Sequence, residues 1–254
     1  MRRLGKTALI LFLAVITMFS AYYWLLPLHG GLMLDLEPLT LQLSAKDKVL
    51  VFAPHPDDES VGAAGFIQQA TAAGSTVKVV FLTCGDAFRY AAQRRFRVVR
   101  PNSKNMQALG RVRQWEAWSA LSLLDVPAEN VVFLGYPDRG LAPLWQRYWP
   151  VQETYRSSYT GVDASPYNNS FTPEVPYSGQ AVLADIEALL RTEKPTVILF
   201  PSNYEGHPDH WATHAFVAYA LEDLKLRGWE REPQVYSYLV HYSDWPRPWG
   251  ANFM

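Results

Sequence analysis

Two short runs place histidine beside acid in almost the same order. "HPDDE", residues 55–59, supplies His55, Asp57, Asp58 and Glu59, and "HPDH", residues 207–210, supplies His207, Asp209 and His210. In both, proline follows the first histidine and stiffens the turn, and it narrows the conformations open to its neighbour. Each run comes after an apolar stretch, Val49–Phe52 in one case and Thr196–Phe200 in the other. His55, Asp58 and one histidine of the second run would form a two-histidine, one-carboxylate set. Such a set suits zinc or another divalent metal that keeps positions open for water and substrate. Each run alone also has a plainer reading. Asp57, Asp58 and Ser60 are good helix caps, and "HPDH" can be a loop histidine followed by a cap. Two such runs, both after a strand and both with proline between histidine and acid, favour the metal. His214 fits a neighbouring or core histidine, and His29 and His241 stand outside any motif.

The elements that must position these residues are legible as alternating patterns. "KVLVFAP", "TVKVVFLTCG", "NVVFLGYPD", "PTVILFPS" and "PQVYSYLV" read as strands. Between them, "ESVGAAGFIQQATAAG" reads as a helix closed by Gly74, and "MQALGRVRQWEAWSALSLLD" has helical periodicity. "SGQAVLADIEALLRTEK" is a helix with Ser178 as its cap, and "HPDHWATHAFVAYALEDLKLRG" opens another. The stretch 89–104 is basic and reads as a solvated face, with an anionic substrate as the alternative. Residues 141–177 carry Pro, Tyr, Trp and Ser without a period and read as a long surface excursion. Alternating strands and helices imply right-handed crossovers and an α/β fold with a mainly parallel sheet. Ligands gather beyond the carboxyl ends of such strands, where both histidine runs fall.

Bulk composition narrows the function classes. With 254 residues, 49% apolar and 19% charged, the chain supports a packed core. A net charge of −1 excludes a broad nucleic-acid surface. The single cysteine, Cys84, rules out an intrachain disulfide and a Cys-based zinc site, so a metal must be held by histidines and carboxylates.

The N-terminus has its own pattern. Arg2, Arg3 and Lys6 precede an uncharged run from Thr7 to Leu28, about the length that crosses a bilayer. Tyr22, Tyr23 and Trp24 stand near its far end, where an aromatic belt belongs. Residues 1–28 are therefore expected to be a membrane anchor, with a cleaved signal peptide and secretion as the alternative. Residues 29–47 would be a linker and 48–254 the catalytic domain. The positive-inside rule places the N-terminus in the cytoplasm and the domain outside it.

"APHPDDESVGAAG" together with "EGHPDH" resembles the PIG-L/LmbE-like family of zinc-dependent N-deacetylases. That family includes the N-acetylglucosaminyl-phosphatidylinositol de-N-acetylases and the mycothiol and bacillithiol deacetylases. The resemblance runs from about Lys48 to Val240 and takes in "TCGD", "RQWEAWSA" and "GYPDRG". It implies a Rossmann-like parallel sheet flanked by helices. It also implies Zn2+, or another divalent ion such as Fe2+, held by His55, Asp58 and His210. Asp57 matches the general base, and His207 the histidine that polarises the carbonyl or protonates the leaving amine. Asp209 would orient its neighbouring histidine, and Arg113 and Asp138 would contact the sugar. Arg139 stands where relatives often carry a small residue, and several relatives continue past the stretch that ends this chain. The implied substrate is an N-acetylated amino sugar, as a glycolipid or an envelope glycan. Hydrolysis of another amide or ester, or sugar binding by an inactive site, are the competing readings.

Overall fold

The five apolar runs form five strands because they are rich in β-branched and aromatic residues and apolar on both faces. The computed structural model describes residues 12–22 and 41–242. In chain order the strands are β1 (Lys48–Ala53), β2 (Thr76–Thr83), β3 (Val131–Tyr136), β4 (Val197–Pro201) and β5 (Gln234–Tyr238). They lie in the order β3-β2-β1-β4-β5, and every pairing is parallel. The expected mainly parallel sheet is thus parallel throughout.

Among the described residues, seven helices connect and flank these strands: α1 (Asp58–Val61), α2 (Ala64–Ala72), α3 (Arg89–Phe96), α4 (Ser103–Ser122), α5 (Leu141–Gln146), α6 (Gly179–Glu193) and α7 (Pro208–Leu226). Leu50 and Phe52 point to one face, against Leu141, Ile186 and Phe216 of α5, α6 and α7. Val49, Val51 and Ala53 point to the other, against Ile67 of α2 and Leu121 of α4. This two-residue alternation inside a wholly apolar run is what buries a strand on both sides.

The strand order reverses at β1, which pairs with β2 on one side and β4 on the other. Val49, Leu50 and Val51 lie opposite Val197, Ile198 and Leu199. The loops that leave β1 and β4 therefore emerge side by side, at the switch point where open α/β sheets bind ligands.

Three local readings are corrected. The helix expected from Glu59 to Gly74 is two helices, broken around Gly62 and Ala63. The break lets β5 approach, since a Cβ on Gly62 would lie 2.4 Å from Tyr238 Cδ2. Residues 141–177 are no surface excursion. Leu141, Leu144 and Tyr177 are fully buried, Tyr167 nearly so. The Phe171 N–H donates to the Phe133 carbonyl at 2.8 Å, so the segment covers the outer edge of β3. Beyond α5 its aromatics pack without regular secondary structure, which is why no period announced them. The helix expected at Met106 begins at Ser103, closed by a reciprocal Asn102–Asn105 capping box. Ser178 caps α6 as expected, accepting from Ala181 N at 3.3 Å.

The chain divides into two units, Met1–Leu41 with Asp244–Met254, and Gln42–Ser243. In the first, residues 12–22 are helical and exposed. The expected membrane span, Thr7–Leu28, extends beyond the described residues on both sides. Among the described residues, no helix is long and apolar enough to cross a membrane.

Tyr238 is buried and tied by its hydroxyl to the Phe52 carbonyl at 2.9 Å, so it has little freedom to yield. Gly62→Ala is expected to lower stability by about 1–3 kcal/mol through overpacking. Urea unfolding of the purified variant measures this, and an unchanged midpoint would contradict the tight contact.

Candidate active site

The loop after β1 carries His55 and leads into α1 at Asp58. The loop after β4 carries Glu205 and His207 and leads into α7, where Asp209 and His210 fill the first turn. The three imidazoles converge. Ring centroids are 4.9 Å apart for His55 and His207, 5.3 Å for His55 and His210, and 5.2 Å for His207 and His210.

Asp58 sits between two of these rings. Its Oδ2 is 3.2 Å from His55 Nδ1 and 3.1 Å from His210 Nε2. The His55 backbone N–H donates to the same oxygen at 2.9 Å. Burial works against charge on Asp58, but its contacts with His210 and His55 outweigh that and hold its pKa far below the usual carboxylate range. Burial likewise opposes charge on His55 and His210. Asp138, Asp209 and Asp58 nevertheless raise the His55 pKa well above its ordinary value, and Asp58 and Glu205 raise that of His210.

Four carboxylates are buried here: Asp58, Asp138, Asp209 and Glu205. Such a concentration of negative charge is costly without a cation. His210 is fully buried, yet neither of its ring nitrogens has a well-formed hydrogen bond. Its Nδ1 faces Glu205 Oε1 at 3.5 Å while Nε2 faces Asp58, the arrangement in which a carboxylate behind the ring orients a metal-binding imidazole. Ligand atoms of His55, His207 and His210 lie within 4.8 Å of one another, and so do those of Asp58, His210 and His241. This set of imidazoles and carboxylate fits a divalent metal such as zinc.

Asp57 is different. Its side chain is 62% exposed and opens into a cavity of about 220 Å³ that is also lined by His55, Asp58, Asp138, Arg139, His207 and His241. Although Asp57 occupies the cap position of α1, its side chain makes no capping bond, so the plain capping reading fails there. Its φ of 127° lies in the region that L residues avoid. Glu59 Oε2 accepts the Asp57 N–H at 2.8 Å, and Arg113 Nη2 pairs with Asp57 Oδ2 at 2.8 Å. Arg113 also donates to the carbonyls of Pro56 and Gly85. Gly85 makes room for it, since a Cβ there would meet Arg113 Nη1 at 2.1 Å. Desolvation raises the Asp57 pKa, with Arg113 opposing it.

The remaining expected residues also meet at the site. Arg113, expected at the sugar, lines the small cavity while its guanidinium braces the Asp57 turn. Asp138, also expected at the sugar, is buried with Oδ1 3.3 Å from His55 Nε2, and its Oδ2 accepts the Ala87 N–H at 2.8 Å. Asp209 faces His55 across the site: Oδ2 lies 3.3 Å from His55 Nε2 and accepts the Arg139 N–H at 2.5 Å. His207 caps α7 with its own ring, Nδ1 accepting the Asp209 N–H at 3.2 Å. That bond leaves the proton on Nε2. Burial, then the nearby His55 charge, lowers the His207 pKa to about 4. In the metal-free protein the His207 ring is thus a neutral Nε2–H donor.

Glu205 and His241 carry roles that the sequence did not assign. Glu205 stands inside the quoted "EGHPDH", but only the return of the chain after β5 shows its partners. It accepts from Val240 N at 2.5 Å and His241 N at 2.7 Å. His241 is three residues beyond β5, at the same sheet rim as the two motifs, and that position was its only signal. A larger cleft of about 700 Å³ shares Asp57, Phe88 and Arg113 with the small cavity and runs along α3 and α4 past Arg94, Arg95 and Arg97. Those three arginines are exposed, in keeping with a solvated face.

A family model described as GlcNAc-PI de-N-acetylase (PIG-L) matches residues 50–221. A 1D-myo-inositol 2-acetamido-2-deoxy-alpha-D-glucopyranoside deacetylase of Nocardia farcinica is 27% identical over 188 residues, 74% of this chain and 56% of the relative. A Mycobacterium bovis protein of the same description is 27% identical over 170 residues, 66% of this chain and 48% of the relative. The chain thus spans about half the length of the curated relatives it matches. Among solved structures, N,N'-diacetylchitobiose deacetylase of Pyrococcus horikoshii superposes with a TM-score of 0.52 at 21% identity, covering 86% of this chain and 68% of the other. The 4-carboxy-2-hydroxymuconate hydratase of Pseudomonas putida KT2440 superposes with a TM-score of 0.51 at 18% identity, covering 75% and 65%. Both share the fold.

The ionisations set a pH profile for the metal-free protein. His55 and His210 have raised folded pKa values. Their contribution to stability is complete below the ordinary histidine value of about 6.5 and is lost as pH rises through the folded values. The Asp58 value is depressed, so its contribution is present above about 3.9 and lost as pH falls toward the folded value. Melting followed by circular dichroism in chelator is expected to show the loss of the His55 and His210 contribution as a melting temperature that falls as pH rises above about 6.5. Zinc is expected to abolish the alkaline decline, because the cation replaces the protons. A melting temperature that climbs from pH 6.5 to 9 in chelator would contradict this assignment.

Proposed function

Because the chain belongs to the PIG-L family of GlcNAc-PI de-N-acetylases, we propose that it is a metal-dependent hydrolase that removes the acetyl group from an N-acetylglucosamine-type sugar or glycoconjugate. One observation carries the reading. A carboxylate, Asp57, opens into the cavity beside a buried ligand set, and a neutral imidazole donor, His207, lines that same cavity. A site that only bound sugar would need no strained, clamped carboxylate next to the ligand Asp58.

His55, Asp58 and His210 would hold the metal. A divalent ion in such a site lowers the pKa of water toward 7 and polarises the acetyl carbonyl. The residues divide the remaining work. Asp57, kept in line by Arg113, accepts a proton as water attacks the carbonyl carbon. His207 Nε2–H donates to the carbonyl oxygen as negative charge develops there, a role worth roughly 3–4 kcal/mol for comparable donors. As the C–N bond breaks, Asp57 returns its proton to the departing amine. Acetate and a free amino sugar leave, and both carboxylate and imidazole regain their starting states. Asp138 and Asp209 hold His55 from behind.

The relatives named above support an amino-sugar substrate, and zinc is the ion that this donor set favours. The uncharged run Thr7–Leu28 and the basic residues before it support an anchor with the catalytic unit on the extracytoplasmic side, facing envelope glycans. Full-length protein is then expected to stay in the membrane fraction after an alkaline carbonate wash. Release into the soluble fraction would remove the anchor from the proposal.

Acetate release from N-acetylglucosamine glycosides, abolished by chelator and restored by zinc, is the direct test. Asp57→Asn is expected to keep the bound metal and lose about 10²–10⁴-fold in kcat. Asp58→Ala is expected to lose the metal itself. Near-normal turnover in metal-loaded Asp57→Asn would refute the base assignment.

A further inference from the structure

His241 is the least explained side chain in the cavity. It lies outside both motifs, on the segment that leaves β5, yet its ring stands 4.7 Å from that of His210 and 5.4 Å from that of His207. One ligand atom each from Asp58, His210 and His241 lie within 4.8 Å of one another. The placement is built. Glu205 Oε2 accepts the His241 N–H at 2.7 Å, and the His241 carbonyl accepts the Gly206 N–H at 2.6 Å. Gly206 is required for that approach, since a Cβ there would lie 2.7 Å from the same carbonyl. The buried carboxylate behind His210 therefore also fixes the backbone of His241. Two candidate ligands are thus set from one side chain.

Its ring, by contrast, is left unengaged. Among the described residues no hydrogen bond involves a His241 ring nitrogen, whereas His214 Nδ1 meets the Pro201 carbonyl at 3.0 Å. The other cavity histidines each face a partner: the His55 ring nitrogens face Asp58 and Asp138, and His207 Nδ1 accepts the α7 cap bond. An exposed ring on a pinned backbone can rotate toward a cation without disturbing the fold.

We infer that His241 is a further ligand of the metal, completing with His55, Asp58 and His210 a set of three imidazoles and one carboxylate in the substrate-free enzyme. This rests on the metal-dependent reading above. Because His241 is exposed and comes from a third loop, it is the ligand that an incoming acetamide displaces, while the buried His55, Asp58 and His210 retain the ion.

X-ray absorption at the zinc edge of the full-length, zinc-loaded chain counts imidazole ligands directly. Three are expected in the wild type, falling to two in His241→Gln and staying at three in His207→Gln. Competition with a chromophoric chelator is expected to show zinc affinity lowered at least about 10-fold in His241→Gln, the scale on which even outer-shell partners act. Two imidazoles in the wild type, a count unchanged in His241→Gln, or a fall in His207→Gln would overturn the inference and leave the three-residue centre standing. A wild-type chain that takes up no zinc would overturn the metal reading, and this inference with it.

Discussion

One carboxylate oxygen, Asp58 Oδ2, lies within 3.2 Å of three nitrogens: the His55 backbone N–H, His55 Nδ1 and His210 Nε2. Two of these belong to the β1 loop and the third to the first turn of α7, more than 150 positions along the chain. The contact exists only because β1 and β4 are hydrogen-bonded neighbours, with Val51 opposite Leu199. A slip of one residue in that register would turn the wrong faces of both strands to the core. The hydrophobic packing of the sheet therefore fixes the site geometry. The site in turn adds a costly concentration of buried charge. In the metal-free protein the His55 and His210 rings offset it, and in the proposed enzyme a cation would do so.

Around this fixed pair the protein keeps one group deliberately out of the ligand set. Asp57 and Asp58 are adjacent, yet one is buried and the other opens to the cavity. The separation comes from the backbone: a φ of 127° at Asp57 turns its side chain away from the one that follows. Such a conformation costs of order 1–3 kcal/mol and persists only where the surroundings over-determine it. Here Glu59 holds the Asp57 N–H from one side, and Arg113 holds its carboxylate and the preceding carbonyl from the other. The acidic run that first looked like excess charge is three acids in three settings: Glu59 clamps the Asp57 N–H, Asp57 opens to the cavity, and Asp58 is buried between two imidazoles.

The strands, their parallel arrangement and the two motif loops were legible because they depend on local signals: apolar runs, prolines and the spacing of histidine to acid. What escaped depends on tertiary contact. Gly62 looked like a tolerable glycine within a helix, and only the approach of Tyr238 shows why the helix breaks there. Tyr167 and Tyr177 belong to an aperiodic segment, so no pattern marked them as core. Arg113 and Asp138 were found as chemically relevant and both line the cavity, but their protein partners were not legible. Arg113 lies under Asp57, and Asp138 lies behind His55. The tautomer of His207 was equally hidden, because it follows from one capping bond to Asp209 N. Glu205 and His241 required the path of the chain after β5.

The fold by itself does not choose the reaction, since a hydratase and a deacetylase both superpose on this chain. The choice rests on what faces the cavity. Amide hydrolysis needs a proton taken from water, a donor at the carbonyl oxygen and a proton given to the amine. In the proposed reaction Asp57 would do the first and the last in succession, since it opens into the cavity and Arg113 holds it there. His207 can do the second throughout because its Nδ1 is tied to Asp209 and its Nε2–H is permanently available. Protonation of His207 would cost the α7 cap bond, so the helix terminus favours the neutral state. In the proposed reaction the division of labour between a mobile proton on Asp57 and a fixed one on His207 would thus be set by two local features, the strained turn before α1 and the ring cap of α7.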